Sequence, residues 1–546
     1  MVQRVERFAG FPARYLLPVL IASVSLQVAV VGMYWDVGYH IDHGRDDGVL
    51  TVPHLLIVAG LQGIVLAALA HGAMRGPAAR NERRLPALGM RLSPGGIVML
   101  VCGAIALLGF PLDAAWHALF GEDVTLWGPT HLFMIGGAGV STLGLWMVMR
   151  QGFELGRPRR VARRAQLRIA GALLIGLSTF QAEFDFGVPQ FQLLYQPVLI
   201  AFAAGVALVC ARSVLGRWGA LQALGMYFAI RGALALFVGV VVGYTTPHFP
   251  LYVAEAAVVE LAALAAPRAP LRFAVLSGLG IGTVGLAAEW GWSHVWMPHP
   301  WPASLLPPAP VVALAAALAG SVLGARIGQS LAMPGAERAP LPGRAVALAG
   351  AVALAALLVP LPRTGGDGTR AAIAPAPAGS GRVALSVALA PSDAARGNQW
   401  FEVISWQGRT PARTRQLTRL RKVAPGRYVT ERPVPVGGNW KTMLRLAKGS
   451  HLEALPVYLP PSPQSGRPGV PVAARSGRMV ADTFLLQREA RGGPGWLTTT
   501  AYAVLAAIVV AWVALLTWAL GLAEPRGSDR ARATVASRWP PPVAPA

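Results

Sequence analysis

The chain has 546 residues, of which 54% are hydrophobic and only 13% charged. That balance excludes an ordinary soluble domain and places the chain among polytopic membrane proteins. The formal net charge is +23, but the arginines cluster between apolar segments. The excess is therefore cytoplasmic loop charge and not a nucleic-acid surface.

Apolar stretches fall at about 13–35, 53–74, 93–115, 129–149, 166–186, 190–211, 219–243, 249–266, 271–290, 306–326, 343–360 and 497–522. Each is near the roughly 20 residues that a bilayer requires, so about twelve transmembrane helices are expected. Arg4, Arg7 and Arg14 stand at the start of the first. Arginine groups then follow at every second connection, from Arg75 to Arg91, from Arg150 to Arg168, and on to Arg526, Arg530 and Arg532 after the last helix. By the positive-inside rule all of these are cytoplasmic, which puts both termini in the cytoplasm and the chain in a bacterial inner membrane. The first apolar run is long, lacks a small-x-small cleavage site, and is read as a retained helix. Cys102 and Cys210 lie in apolar runs and form no CxxC or thiolate cage.

The connection after the first span carries Met33–Gly60, and a diverged copy stands at Phe110–Gly137. Aligned without a gap, Asp36 falls on Asp113, His40 on His117, Gly44 on Gly121, Asp46 on Asp123 and His54 on His131. Both copies read Asp-x3-His-x3-Gly-x-Asp-x7-His. Ionisable residues are costly at membrane depth, so keeping them twice in one register points to function. If the first helix of each copy runs on, Asp36 and His40 share a face one turn apart, as do Asp113 and His117. His54 and His131 then stand in the first turn of the returning helices. A divalent ion would offset the roughly 0.3–1 kcal/mol by which a helix C-terminus disfavours a carboxylate. Carboxylate and imidazole together suit copper(II), iron, manganese or zinc and lack the soft donors of a copper(I) site. The expected ligands are Asp36, His40, His54, Asp113, His117 and His131, converging on a mono- or dinuclear site. Asp46, Asp123 and Arg45 are expected to orient the imidazoles. His43, His71 and Asp47 have no counterparts and are read as surface or interface groups.

The remaining unusual polar residues fall on the same outer side. They are Glu183 and Asp185 with Gln181 and Gln190, then His248 and Glu255 with Tyr252, then Glu289, His294 and His299. Turn-forming and polar pairs begin the returning segments, as in Pro53-His54, Thr130-His131, Pro189-Gln190, Pro247-His248 and Pro298-His299, which suggests an old duplication of one hairpin. Glu260, deep in its apolar segment, is a candidate for a proton or ion path.

Residues 1–360 thus form a transmembrane domain of about eleven helices. Residues 361–380 are Gly/Pro/Ala-rich and read as a linker. Residues 381–495 hold seven alternating segments from Val383 to Gln487, separated by turn signals such as Pro425-Gly426 and Gly437-Gly438, which argue for a β-sandwich outside the membrane. An anchor helix at 496–523 and a cytoplasmic tail at 524–546 follow.

Within the sandwich, Pro425–Leu446 (PGRYVTERPVPVGGNWKTMLRL) resembles the Pro-Gly-Arg-Tyr … Gly-x-Trp signature of FixH/YtkA-like immunoglobulin-type domains. That resemblance implies copper handling or oxidase assembly, in a family that includes fusions to CopD-like membrane proteins. The domain itself has one histidine, His451, and one methionine in the strand core, Met443. The Asp/His repeats also look like the metal motif of the C subunit of copper membrane monooxygenases. There, one Asp and two His on adjoining helices bind the ion, and Asp36, His40 and His54, or Asp113, His117 and His131, would correspond. The second spacing here is one residue longer, so the likeness is one of site chemistry.

The sequence therefore points to a membrane metalloprotein of redox type, with copper favoured and iron or zinc as alternatives. The sandwich would dock a periplasmic metal or electron donor. The alternatives are a transition-metal transport or delivery protein, and a scaffold without metal.

Overall fold

The computed structural model describes residues 2–43, 49–78, 81–86, 89–120, 125–156, 160–249, 251–332, 340–359, 368–407, 415–462, 466–486 and 493–523. Among these, nine helices are long and apolar enough to cross a membrane. A short helix α1 (Val2–Ala9) precedes α2 (Ala13–His43) and α3 (Val52–Ala73). A small hairpin, β1 (Arg83–Leu85) with β2 (Met90–Leu92), leads to α4 (Pro94–Phe120) and α5 (Pro129–Glu154). Next come α6 (Arg160–Ser178), the short α7 (Ala182–Phe186), α8 (Tyr195–Leu215), α9 (Gly219–Leu236) and α10 (Val253–Ala265). A π turn carries α9 on to Val242, and another, Ile281–Gly285, joins α11 (Pro270–Gly280) to α12 (Leu286–Trp296). Then follow α13 (Pro308–Leu331) and α14 (Gly343–Leu358).

Prolines begin several of these helices, where a missing N–H costs nothing. The remaining three expected spans are helical as well, but α6 is arginine-rich at its start, α10 has 13 residues and α14 has 16. The expected set of about twelve thus resolves into nine that meet the length and hydropathy of a span and three that do not.

The duplication survives in the packing. In the register that pairs Asp36 with Asp113, Gly60 falls on Gly137. A Cβ on Gly60 would meet the α2 backbone at 2.5 Å, and one on Gly137 would meet Cys102 O of α4 at 2.5 Å. Only glycine allows the two helices of each hairpin to approach so closely, and without a hydrophobic drive between helices such contact is what holds them. At the opposite end of the first hairpin His71 is fully buried, not a surface group. Its Nδ1 donates to Arg14 O at 3.0 Å and its Nε2 accepts from Ser93 Oγ at 3.0 Å. His43 is also buried, against Tyr39 and Tyr244.

The second domain contains β3 (Arg370–Pro377), β4 (Arg382–Ala390), β5 (Trp400–Trp406), β6 (Gln416–Ala424), β7 (Arg427–Thr430), β8 (Val434–Pro435), β9 (Lys441–Lys448), β10 (His451–Tyr458), β11 (Arg475–Arg478) and β12 (Val480–Ala481). They form one ten-stranded antiparallel sheet in the order β11-β3-β4-β7-β6-β5-β9-β10-β12, with β8 beside β4. β11 and β12 lie at opposite ends of that order, yet only Met479 separates them in sequence. The sheet therefore curls into a nearly closed barrel in place of the expected two-layer sandwich. Alternating residues such as Ile373, Leu385, Val387, Val403, Leu444 and Val457 fill its interior.

Two boundaries shift. The stretch read as a linker contains β3, whose Pro and Ala residues hide its alternation. The last expected strand, Met479–Gln487, is a two-residue strand followed by the short helix α15 (Asp482–Leu486). The terminal helix α16 (Gly495–Ala523) returns to the bundle, where the Tyr502 hydroxyl donates to Trp127 O at 3.1 Å.

Candidate metal centre

Each hairpin builds its own site. Helices α2 and α4 run past the motif, so Asp36 and His40, and Asp113 and His117, stand one turn apart as the spacing required. His54 and His131 are each the third residue of the returning helix. Thr51 caps α3, its hydroxyl accepting from His54 N at 3.4 Å. The structure brings the six residues together as two groups of three, Asp36–His40–His54 and Asp113–His117–His131. Within each group one possible ligand atom per residue lies within 4.8 Å of the others. They do not merge into one six-ligand site. Both groups nevertheless line the same cavity, and the His54 ring packs on Phe110 of the second copy at 5.5 Å between centroids.

In each group both imidazoles aim Nε2 at one carboxylate oxygen. His40 Nε2 and His54 Nε2 lie 3.5 and 3.2 Å from Asp36 Oδ1. His117 Nε2 and His131 Nε2 lie 3.6 and 3.4 Å from Asp113 Oδ1. The other nitrogen decides what this means. His54 Nδ1 is 2.9 Å from Val49 O and His131 Nδ1 is 3.0 Å from Thr125 O. A carbonyl only accepts, so each Nδ1 carries the proton. Nε2 then either carries a second proton and pairs with the carboxylate as an imidazolium, or turns a lone pair toward its oxygen, an arrangement that is repulsive unless the two share a cation. Two ligands about 2.1 Å from one ion at a tetrahedral angle stand about 3.4 Å apart. The four observed separations straddle that value and exceed the roughly 2.7–2.9 Å of a direct charge-assisted hydrogen bond. The residues present therefore fit a divalent ion with two imidazoles, one carboxylate and open positions. The side chains keep 13–24% of their surface exposed, so a small molecule in the cavity can reach them.

The two groups differ in support. Thr130 Oγ1 donates to Asp113 Oδ1 at 2.5 Å, whereas Pro53 occupies the matching place in the first copy. Glu183 braces the second group from α7. Its Oε1 accepts from Leu126 N at 2.6 Å and from the Thr125 hydroxyl, and its Oε2 accepts from Gln190 N at 3.0 Å. Beyond α7 the barrel takes over. Gly187, in the left-handed region at φ 73°, turns the chain so that Arg415 donates to Gly187 O at 2.8 Å and Phe186 O at 3.2 Å. Arg445 donates to Pro189 O at 3.1 Å. Arg415, Arg445, Lys441 and Trp406 also line the cavity, so the barrel closes over the end that holds both groups.

Other expected site residues have structural work. Asp185 pairs with Arg231 at 3.3 Å, both fully buried, and its backbone oxygen accepts from His248 N at 2.8 Å. Glu289 accepts from Tyr252 N at 2.7 Å, whereas Glu255 is buried with neither carboxyl oxygen hydrogen-bonded among the described residues. His294 bonds back to Trp290 O at 2.9 Å, one turn earlier in its own helix. The His299 ring packs at a tilt on Trp400 of the barrel, 5.0 Å between centroids. Glu260, read as a candidate for a proton or ion path, braces the turn between α8 and α9. It accepts from Trp218 N at 3.1 Å and Ala220 N at 2.9 Å and pairs with Arg212 at 2.8 Å, which fixes the start of α9. Arg45, Asp46 and Asp123, and the turn residues Gly44 and Gly121, lie outside the described residues. Sequence reasoning missed Asp42, which is buried and accepts from Thr245 N and Thr245 Oγ1, each at 2.6 Å. It also missed Arg231; a lone Arg inside an apolar span was the available signal.

No family model, curated protein or solved structure matches the chain.

Proposed function

We propose that the protein is an integral-membrane metalloprotein that holds one transition-metal ion in each Asp/His/His group and uses the pair for redox chemistry on a small molecule in the cavity. The observation that carries this is the doubled geometry, two imidazole Nε2 atoms set about one ion's width from a single carboxylate oxygen, in each of two hairpins. A bound ion with open positions of this kind activates oxygen or takes electrons from a substrate. The donor set suits copper(II), iron(II) and zinc, and the likeness to the copper monooxygenase motif favours copper.

The chain's own residues supply the rest. Val49 O and Thr125 O orient His54 and His131, Thr130 and Glu183 brace the second group, and barrel residues line one end of the cavity. With α6, α10 and α14 counted as crossing beside the nine longer helices, the arginine pattern orients the groups and the barrel toward the outside of a bacterial inner membrane, with both termini inside. In that orientation the FixH/YtkA-like stretch makes the barrel a docking module for a periplasmic metal or electron donor.

Transition-metal transport or delivery is the second reading. Against it stands the cavity wall. Beyond Asp36, Asp113, Glu183 and the four histidines, the described lining residues include no carboxylate, imidazole or thiol to pass an ion onward. Metal-loaded protein in proteoliposomes separates the two. Reversible reduction and reoxidation of the bound ion, with no metal entering the lumen, supports the redox reading. Metal accumulating in the lumen overturns it in favour of transport.

A further inference from the structure

The cavity is far longer than two metal sites need. It has a volume of about 520 Å³ and begins beneath Arg415 and Lys441 of the barrel. It passes both triads and continues between α2, α3, α5 and α6 to Ser23, Leu145 and Arg168. At about 1.5 Å per helical residue, Ile41 to Ser23 on α2 covers about 27 Å, and His131 to Leu145 on α5 about 21 Å. That is most of the roughly 30 Å hydrocarbon core of a bilayer. The chemistry changes along it. The barrel end is basic, with acids and imidazoles below, while the long remainder is walled mainly by Leu26, Ile57, Ile135, Ala138, Ile169 and Ile175, with Gln27 and Thr142 as polar exceptions.

Gly139 leaves helix backbone bare on this wall, beside Gly176. A Cβ on Gly139 of α5 would meet nothing within 4 Å, and one on Gly176 of α6 would come no nearer than 3.6 Å to Gly139 Cα. Neither glycine has a left-handed backbone and neither is tightly packed against a neighbour, so neither is required for the local fold. What Gly139 provides is open space in the middle of this largely apolar passage.

We infer that the passage holds the hydrocarbon tail of a long-chain amphiphile whose oxygen-bearing head lies between the two triads, beneath Arg415 and Lys441. This rests on reading the triads as the reacting end, and it narrows the substrate class to a membrane-derived molecule with one long chain. A water-soluble substrate needs no apolar passage of this length, and beyond the triads and Glu183 the described lining offers an ion no carboxylate, imidazole or thiol. Arg415 and Lys441 favour a head that accepts hydrogen bonds.

Photocrosslinking tests this, with a hexadecanol that carries a mid-chain diazirine as probe. The full chain is reconstituted in nanodiscs, and bound metal is counted in every sample. The expected labels fall on residues 135–145 and 169–176, and excess unlabelled hexadecanol removes them. Gly139→Phe, which fills the open space, lowers this labelling at least tenfold while metal content stays at the wild-type level. In the variant His54→Ala/His131→Ala, metal is lost and labelling of the passage persists. Labels confined to outward-facing residues such as Leu66 and Leu108, undisplaced by hexadecanol or unchanged in Gly139→Phe, overturn the tail site. Wild-type metal content in the histidine variant sinks the metal reading, while the labelling pattern decides the tail site separately.

Discussion

Glu183 and His131 are joined through one loop residue. The Glu183 carboxylate accepts from the Thr125 hydroxyl and from Leu126 N, and Thr125 O accepts the proton on His131 Nδ1. The acid thereby fixes the direction in which the His131 ring presents its other nitrogen. Among the described residues no acid braces the loop of the first hairpin in this way.

Glu183→Gln should therefore act on one site alone. The amide presents N–H groups to Gln190 N or to Leu126 N, so one of the two backbone contacts is lost. Losses of this kind typically weaken metal binding about 10–100-fold. Isothermal titration of metal-free protein should show one site weakened by that factor and the other unchanged. Equal weakening of both, or of neither, refutes the role given to Glu183.

Much of this was legible in the residues. Asp-x3-His puts two side chains on one helix face whatever surrounds them, and a repeat in fixed register announces that the face is used. What the pattern does not contain is the rotation of one hairpin against the other, which decided that six ligands form two groups and not one. Glu260 illustrates a second limit. Its partners Arg212, Trp218 and Ala220 lie far back in the chain, so the brace it makes is not visible from its own apolar segment. β3 illustrates a third, since an Ala/Pro-rich strand has no apolar alternation to find and becomes a strand only by pairing with β4 and β11.

Arg231 should be needed for folding and not for metal. Its guanidinium lies 3.3 Å from Asp185 Oδ2 and 4.2 Å from the Tyr34 ring centroid, with 1% and 0% of the two charged side chains exposed. Removing one partner of such a pair leaves the other charge buried, at a cost of about 3–5 kcal/mol. Arg231→Met should lower the melting midpoint in detergent sharply, and Arg231→Met/Asp185→Asn should recover most of the loss. A double variant as unstable as the single one contradicts the pairing.

The junction between barrel and bundle should weaken in acid. His299 is buried against Trp400, and burial holds its pKa below the ordinary 6.5, with Glu402 opposing the shift and Arg445 and Arg415 adding to it. The unfolded chain then binds more protons than the folded one below about pH 6.5, so stability rises with pH through that window and is lost as pH falls. His248, whose pKa burial also lowers, adds to the same trend. Melting at pH 5.5 should come earlier than at pH 8, and His299→Phe should reduce the difference. An unchanged pH dependence in that variant assigns the effect elsewhere.

The central claim is that each hairpin closes one ion between Asp and two His, and metal counting on purified protein tests it most directly. Wild-type protein, loaded with copper, iron or zinc and freed of excess, should hold two ions per chain. His54→Ala and His131→Ala should each hold one, and the double variant none. A wild-type chain that retains no ion, or a double variant that retains two, contradicts the account.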